Sequence, residues 1–323
     1  SRAAQDLCNQ SELYFGYIGS HGTRYSNFIM SKSDLIIALG NRLAFPLGSE
    51  SFLQIANHAD IIRLDIDKKE FTRKIPNIVN FCIDLNSFVS YCATVQIALE
   101  RKEAWIEVCN ELKSRLEDCD ITMPVKKLIQ YLQKEKAGRT YVCDVGNNEF
   151  WFARAFEKVR KSGVLLYSKS YGTLGAALGR AIGAYYASKK EVVCIMGDQG
   201  FQYNIQELQY IGYWKIPVKI IVLNNACSEM ILDHERILFG DVFLHVTEKT
   251  GYGTPDFKSI AQAYNIPYIK ELDTKNELPA APFIYECYYH REKGLVPYLP
   301  KGNVCQNMAP IIDQKLYCYL QNL

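Results

Sequence analysis

The sequence predicts an α/β protein organised as two parallel-sheet domains. Three observations carry that prediction. Residues 191–230 read as strand, helix, strand. An apolar, β-branched run (192–196) ends at Gly197-Asp198, a helical stripe follows at Ile205, Leu208 and Ile211, and a second apolar run (218–223) stops at Asn224-Asn225. Two buried strands joined by a crossover of that length form a right-handed parallel unit. Residues 13–84 repeat the alternation of short apolar runs with helical stretches, which again implies a parallel sheet. Finally, 323 residues at 48% hydrophobic and 22% charged are ordinary globular composition, with length for two domains.

Taken in order, the opening residues 1–10 (SRAAQDLCNQ) are expected to be helical. Ser1 in place of methionine suggests the middle of something longer. A short strand is expected at 14–16, then the loop GSHGT (19–23) and a helix through Asn27 and Met30. Residues 34–39 (DLIIAL) and 60–67 (DIIRLDID) read as strands, with Asp65 and Asp67 at the end of the second, and 81–84 as a short fourth. Strands and helices alternating in this way describe a Rossmann-like domain. Residues 86–120 carry a helical pattern, read as the link between domains and the first helix of the next. Pro124 opens a further helix (125–136), and 140–145 (TYVCDV) is the first strand of the second domain. That strand ends at Asp144, ahead of Asn147-Asn148 and a helix carrying Trp151 and Phe152.

Farther on, Gly172, Gly175, Gly179 and Gly183 recur every three or four residues. They line one face of a helix and its entry turn, suited either to close approach of a ligand or to a helix packing seam. A helix and loop (231–241), an amphipathic helix (256–264), a last strand (282–287) and a Pro-rich extended stretch (296–310) complete the chain. The domains read as 1–100, 101–295 and a tail over 296–323.

Composition excludes several classes. A formal charge of +2 gives no electrostatic reason for nucleic acid or an anionic membrane. No apolar run approaches the length of a bilayer span, and no signal-peptide pattern is present. Eleven cysteines, with no CxxC spacing and several inside apolar runs, read as reduced thiols of a cytoplasmic protein.

Asp198 and Asn225 leave the carboxyl ends of neighbouring parallel strands, the edge where α/β sheets bind ligands. A carboxylate and a carboxamide offer hard oxygen ligands, which suit magnesium or calcium, with phosphate oxygens completing the shell. The alternative is that GD and NN are ordinary strand-to-loop punctuation.

With 27 positions from Asp198 to Asn225, the pattern resembles the diphosphate-binding motif of thiamine diphosphate enzymes. GDQGFQYNIQEL is similar to the acetolactate synthase-like branch, including Gln202, Asn204, Gln206 and Glu207. The resemblance implies that Asp198, Asn225 and the backbone carbonyl of Cys227 hold Mg2+, which holds the cofactor's diphosphate. It places Gly197, Gln199, Gly200, Ser228 and Met230 around the cofactor, with Asn147 and Asn148 where the family commonly has Gln-His. Gly172, Thr173 and Leu174 match the segment whose side chain wedges between the cofactor rings; Leu174 stands where synthases usually carry methionine. Gln199 replaces a usual glycine, as does Glu229, and Gly179 replaces a usual proline.

His234 aligns with a tryptophan that helps close the synthase site. An imidazole there makes the pocket more polar, favouring an acceptor with hydroxyl or charged groups over a second pyruvate. Acetolactate is then not expected as the main product. Alternatively, His234 sits on a solvated helix face. Leu174 and His234 are the catalytic candidates of this chain.

The first domain resembles the family's middle domain in GSHGT, DLIIALGNR and LDID. That domain holds FAD in flavin-containing members. Arg42 matches the first arginine of the pattern, whereas Pro46 stands for the second and Ala44 and Phe45 for an acidic pair, so contacts that FAD uses are lost. Asp65 is a candidate ribose ligand and His21 a loop-fixing residue. The glutamate that pairs with the aminopyrimidine ring belongs to an N-terminal domain, across a subunit interface in this class. The chain is therefore expected to be a fragment, inactive alone, of a homo-oligomer. The expected activity is carboligation or decarboxylation of a small-molecule 2-oxo acid. Simple decarboxylation, or a degenerate homologue with an oligomerisation or regulatory role, are the alternatives.

Overall fold

In the computed structural model, the described residues are 11–16, 18–43, 58–72, 75–95, 100–117, 123–134, 139–155, 164–168, 171–291, 294–300 and 303–323. The expected opening helix (1–10), the Ala44, Phe45 and Pro46 replacements and the end of the helix expected to 136 lie outside them.

The chain divides into two compact units, 13–118 with 297–323, and 119–296 with 2–12. The first holds a parallel three-stranded sheet in the order β1 (Leu35–Leu39), β2 (Asp60–Asp65), β3 (Ile78–Cys82). Leu35 faces Asp60 and Ile61 faces Ile78 across the ladders. Residues 14–16 form no strand. Gly16 has φ +73°, and Ser26 Oγ donates to the Phe15 carbonyl, which bends the backbone out of ladder geometry.

The helical pattern over 86–120 resolves into Leu85–Thr94, N-capped by Asp84, and Glu103–Leu116. The second helix belongs to the first unit, not to the next domain as its sequence suggested. Its Leu112 and Leu116 pack with Tyr25 and Phe28 of the helix Arg24–Lys32. The tail joins the same core and is not extended throughout. Asp313 caps a terminal helix, Gln314–Asn322, by accepting from the Lys315 and Leu316 N–H groups, and Leu320 is buried against the cluster. Arg24 donates to the Met308 and Pro310 carbonyls, and Asn27 to the Cys305 carbonyl, so two buried polar side chains hold the tail. The Asp65 carboxylate is occupied by the Asp67 N–H, at 3.0 Å. His21 pairs through Nδ1 with Ser20 Oγ.

The second unit is a six-stranded, wholly parallel sheet in the order β5-β4-β6-β7-β9-β8. The strands are β4 (Thr140–Cys143), β5 (Val164–Leu166), β6 (Val192–Gly197), β7 (Val218–Asn224), β8 (Tyr268–Ile269) and β9 (Phe283–Tyr288). Every residue of β7, and all but Gly197 of β6, is buried. Central strands covered on both faces read as continuous apolar runs, which is why these two were legible. The stripe at Ile205, Leu208 and Ile211 spans the end of a two-helix crossover, Asp198–Tyr203 and Glu207–Trp214. Phe201 meets Phe257 edge-on, with ring centroids 5.3 Å apart, and anchors that crossover in the core. Among the described residues no helix is long and apolar enough to cross a membrane.

Candidate functional site

The carboxyl ends of β4, β6, β7 and β9 lie side by side, and the loops leaving them enclose a cavity of about 240 Å3. Asp198 opens the helix after β6. Its carboxylate is buried, with Oδ1 accepting the Gln199 N–H at 2.8 Å. Oδ2 is buried and makes no hydrogen bond of regular geometry, although the Tyr252 hydroxyl stands close enough to the carboxylate to stabilise its charged form. Burial pushes the Asp198 carboxyl up to about 6, against the pull of the surrounding N–H groups.

The two asparagines at the end of β7 divide the work. Asn224 builds the turn: its Oδ1 accepts the N–H of Ala226, which sits at φ +52°, and its Nδ2 donates to Glu286. Asn225 lines the cavity. Its Oδ1 accepts the Cys227 N–H at 3.1 Å, and its Nδ2 donates to Glu229 and to the Tyr289 hydroxyl. Ser228 Oγ donates to Gln199 Oε1 at 2.6 Å and ties this loop to the one after β6. The side chain at 199 is thus accommodated within the helix Asp198–Tyr203 by pairing across the cavity rim.

Leu174 reaches the cavity from a turn that Asp144 fixes. Asp144 Oδ2 accepts the Gly175 N–H at 2.7 Å, and Asn204 Nδ2 donates to the Gly175 carbonyl. Burial pushes the Asp144 carboxyl to about 6. Gly175 has φ +81°, and a Cβ there would stand 2.5 Å from Tyr203 Cβ and 2.9 Å from the Gly200 carbonyl. Close backbone approach explains this glycine and Gly200, whose added Cβ would fall 2.2 Å from Asp144 Oδ2. Gly179 and Gly183 face open space, so neither close approach nor a packing seam accounts for them.

The structure brings Asn147, Asn148, Gly172, Leu174, Gly197, Asp198, Gln199, Gly200, Asn225, Cys227, Ser228 and Met230 to one cavity. Thr173 is a correction. It is exposed and does not line the cavity, and its N–H is spent on Ser168 Oγ. So is His234, which lies on the exposed face of the helix Glu229–Phe239 with Nδ1 against the Met230 carbonyl. A helix that buries Glu229 and Leu232 turns position 234 outward.

Sequence reasoning missed Asp144 as the anchor of the Leu174 turn, and missed Glu229 and Tyr289 as cavity-wall partners. Asp144 had a signal, a carboxylate at a strand end. Glu229 stood out only as a replacement for glycine, and nothing in the sequence linked it to Tyr289, sixty residues away.

The donor set fits a hard divalent ion beside a diphosphate. An orphaned carboxylate oxygen and a carboxamide oxygen line one cavity. Burial pushes the Cys227 thiol up to about 12, so no thiolate is offered at neutral pH. Among the described residues no group of three His, Cys, Asp or Glu side chains could hold a metal by itself. Val145, Leu174, Leu223 and Met230 give the cavity apolar walls suited to a ring system.

Comparison with known families agrees with this geometry. Residues 144–284 match the thiamine pyrophosphate enzyme, C-terminal TPP binding domain, and residues 3–91 match the thiamine pyrophosphate enzyme, central domain. The chain belongs to the thiamine pyrophosphate enzyme family. Within that family it is similar to acetolactate synthase large subunits. It is 29% identical to that of Cyanidium caldarium over 322 residues, covering 94% of this chain and 54% of the relative. It is 31% identical to that of Porphyra purpurea over 273 residues, covering 79% and 44%. It is 28% identical to the acetolactate synthase isozyme 2 large subunit of Escherichia coli (strain K12) over 304 residues, covering 90% and 54%. The chain spans about half the length of these curated relatives.

Proposed function

We propose that this chain carries the diphosphate-binding half of a thiamine diphosphate- and Mg2+-dependent enzyme that decarboxylates a 2-oxo acid and passes the carbon to a second carbonyl. The observation that supports it most directly is the buried, unpartnered Oδ2 of Asp198 in the same cavity as the Asn225 carboxamide. In this reading Asp198, Asn225 and the Cys227 carbonyl hold the metal, and the metal holds the diphosphate. Ser228 and Gln199 brace the two loops against each other. Leu174, fixed through Gly175 and Asp144, presents its side chain to the cofactor's rings. Thiamine diphosphate would supply the electron sink that lets a 2-oxo acid lose carbon dioxide. The protein's part is to orient the cofactor, exclude water with apolar walls and neutralise the phosphate charge.

The expectation about acetolactate rested on His234. With that ring outside the cavity it loses its support. Assembly as a homo-oligomer whose site is completed by another subunit belongs to the proposal, and light scattering on the purified protein checks it. A cytoplasmic location does too, supported by the described cysteines all being free thiols.

Calorimetric titration of thiamine diphosphate with magnesium tests the site. Asp198→Ala should abolish magnesium-dependent binding, because the carboxylate is the only formal charge among the proposed ligands. Unchanged affinity in Asp198→Ala would remove the basis of the reading. Carbon dioxide release from pyruvate by the full-length protein, with product analysis, distinguishes ligation from simple decarboxylation.

A further inference from the structure

Glu229 is a charged wall group that the proposed chemistry does not use. It stands where the family resemblance expects glycine, is 6% exposed, and lines the cavity. A buried carboxylate is costly unless it is paired and hydrogen-bonded, and here the partners form a closed ring. Asn225 Nδ2 donates to Glu229 Oε2 at 2.9 Å and to the Tyr289 hydroxyl at 3.0 Å. The Tyr289 hydroxyl in turn donates to the same Oε2, at 3.0 Å. On the other side Arg291 Nε lies 3.4 Å from Glu229 Oε1. Arg291 itself is held by Asp233, one helical turn beyond Glu229, and Asp233 also accepts from the Leu295 N–H at 3.0 Å.

We infer that Glu229 is a positioning residue for Asn225, fixing which end of its carboxamide faces the metal. This rests on the cofactor reading above. A carboxamide can point either way round, and only the oxygen end ligates a cation. Glu229 accepts only from the NH2 end, and the Cys227 N–H donates only to the oxygen end. The two contacts therefore specify one orientation from both sides. With Oδ1 having a second lone pair, the Cys227 bond leaves it able to bind an ion. The Arg291 guanidinium stands 3.4 Å from the carboxylate's other oxygen, an ion pair without a hydrogen bond, and its charge holds an oxygen on that side while Oε2 faces Asn225.

The test exploits the difference between carboxylate and carboxamide. In Glu229→Gln, the positive charge of Arg291 favours the glutamine oxygen on its own side and leaves the NH2 facing Asn225 Nδ2, donor against donor. Asn225 then rotates and presents NH2 to the metal. Magnesium-dependent thiamine diphosphate affinity should fall about tenfold or more. Exchanging the two groups, in the double variant Asn225→Asp with Glu229→Gln, restores a donor facing an acceptor and leaves an oxygen for the metal. Affinity should return to within about threefold of wild type, a recovery that a merely packing role for Glu229 would not show. A second readout needs no cofactor. In the full chain, the two Asn225 side-chain N–H resonances, assigned by their loss in Asn225→Asp, should be widely separated and slow to exchange. In Glu229→Gln they should collapse towards free-amide values. Wild-type affinity in Glu229→Gln, or an Asn225 amide signal unchanged by it, would overturn the inference. If the wild type binds no thiamine diphosphate, the cofactor reading fails, and the amide signal alone decides the positioning role.

Discussion

Asp144, Asp198 and Glu229 are buried acids whose carboxyls are pushed up to about 6, about 6 and about 7 by burial. Asp144 is the clearest to test, because its role is structural: it holds the Gly175 N–H under the Leu174 turn. Its ordinary value is 3.8. Between that value and about 6 the folded protein binds more protons than the unfolded chain, so its contribution falls as pH rises through that window and is flat above it. The full change is about 3 kcal/mol at most. Asp144→Asn should remove this share of the slope between about pH 4 and pH 6, leaving the shares of the other two acids. Urea unfolding across that range reads it, and a slope unchanged by the substitution would place the protonation elsewhere.

The elements were legible where burial is two-sided, as in β6 and β7, and hard to read where local chemistry interrupts a pattern. Asp84 starts one helix and Asp313 another, yet both segments were read through their residue pattern or their prolines and not their caps. The entry turn before the helix Ala177–Ser188 shows the same local control. Gly175 holds a positive φ in a space that a methyl group cannot share. Gly175→Ala should therefore destabilise the second unit by about 1–3 kcal/mol and weaken thiamine diphosphate binding through a displaced Leu174. Gly179→Ala, at a helical position facing open space, should be neutral or mildly stabilising. Equal effects of the two alanines in denaturant titrations would contradict this account.

At the scale of the whole molecule, the unit boundaries follow burial, not chain order. The last residues close the first unit: Ile312 and Leu320 complete the cluster around Phe28 and Leu112, and Arg24 grips the Met308 carbonyl. Deleting 303–323 should cost the first unit about 4 kcal/mol from those two side chains alone. Hydrogen exchange should then become fast in 24–39 and stay slow in 192–224, since the central strands of the second unit bury their own core. Uniform loss of protection across both segments would show that the units do not unfold separately.

The sequence by itself determined the parallel α/β class, the strand ends at Asp198 and Asn225, and most residues lining the cavity. The class and the strand ends follow from local apolar runs and their punctuation, which neighbouring residues encode, and the lining residues from the resemblance of their motifs to a family. Only the tertiary structure decided that His234 points outward, that Thr173 stays off the cavity, and that the 103–116 helix and the tail belong to the first unit. It alone joined Asn225, Glu229 and Tyr289 into one ring, with Arg291 as an ion-pair partner beside it. The reason is physical. A carboxylate such as Glu229 becomes a positioning group only when burial removes water and a partner sixty residues away supplies the hydrogen bond.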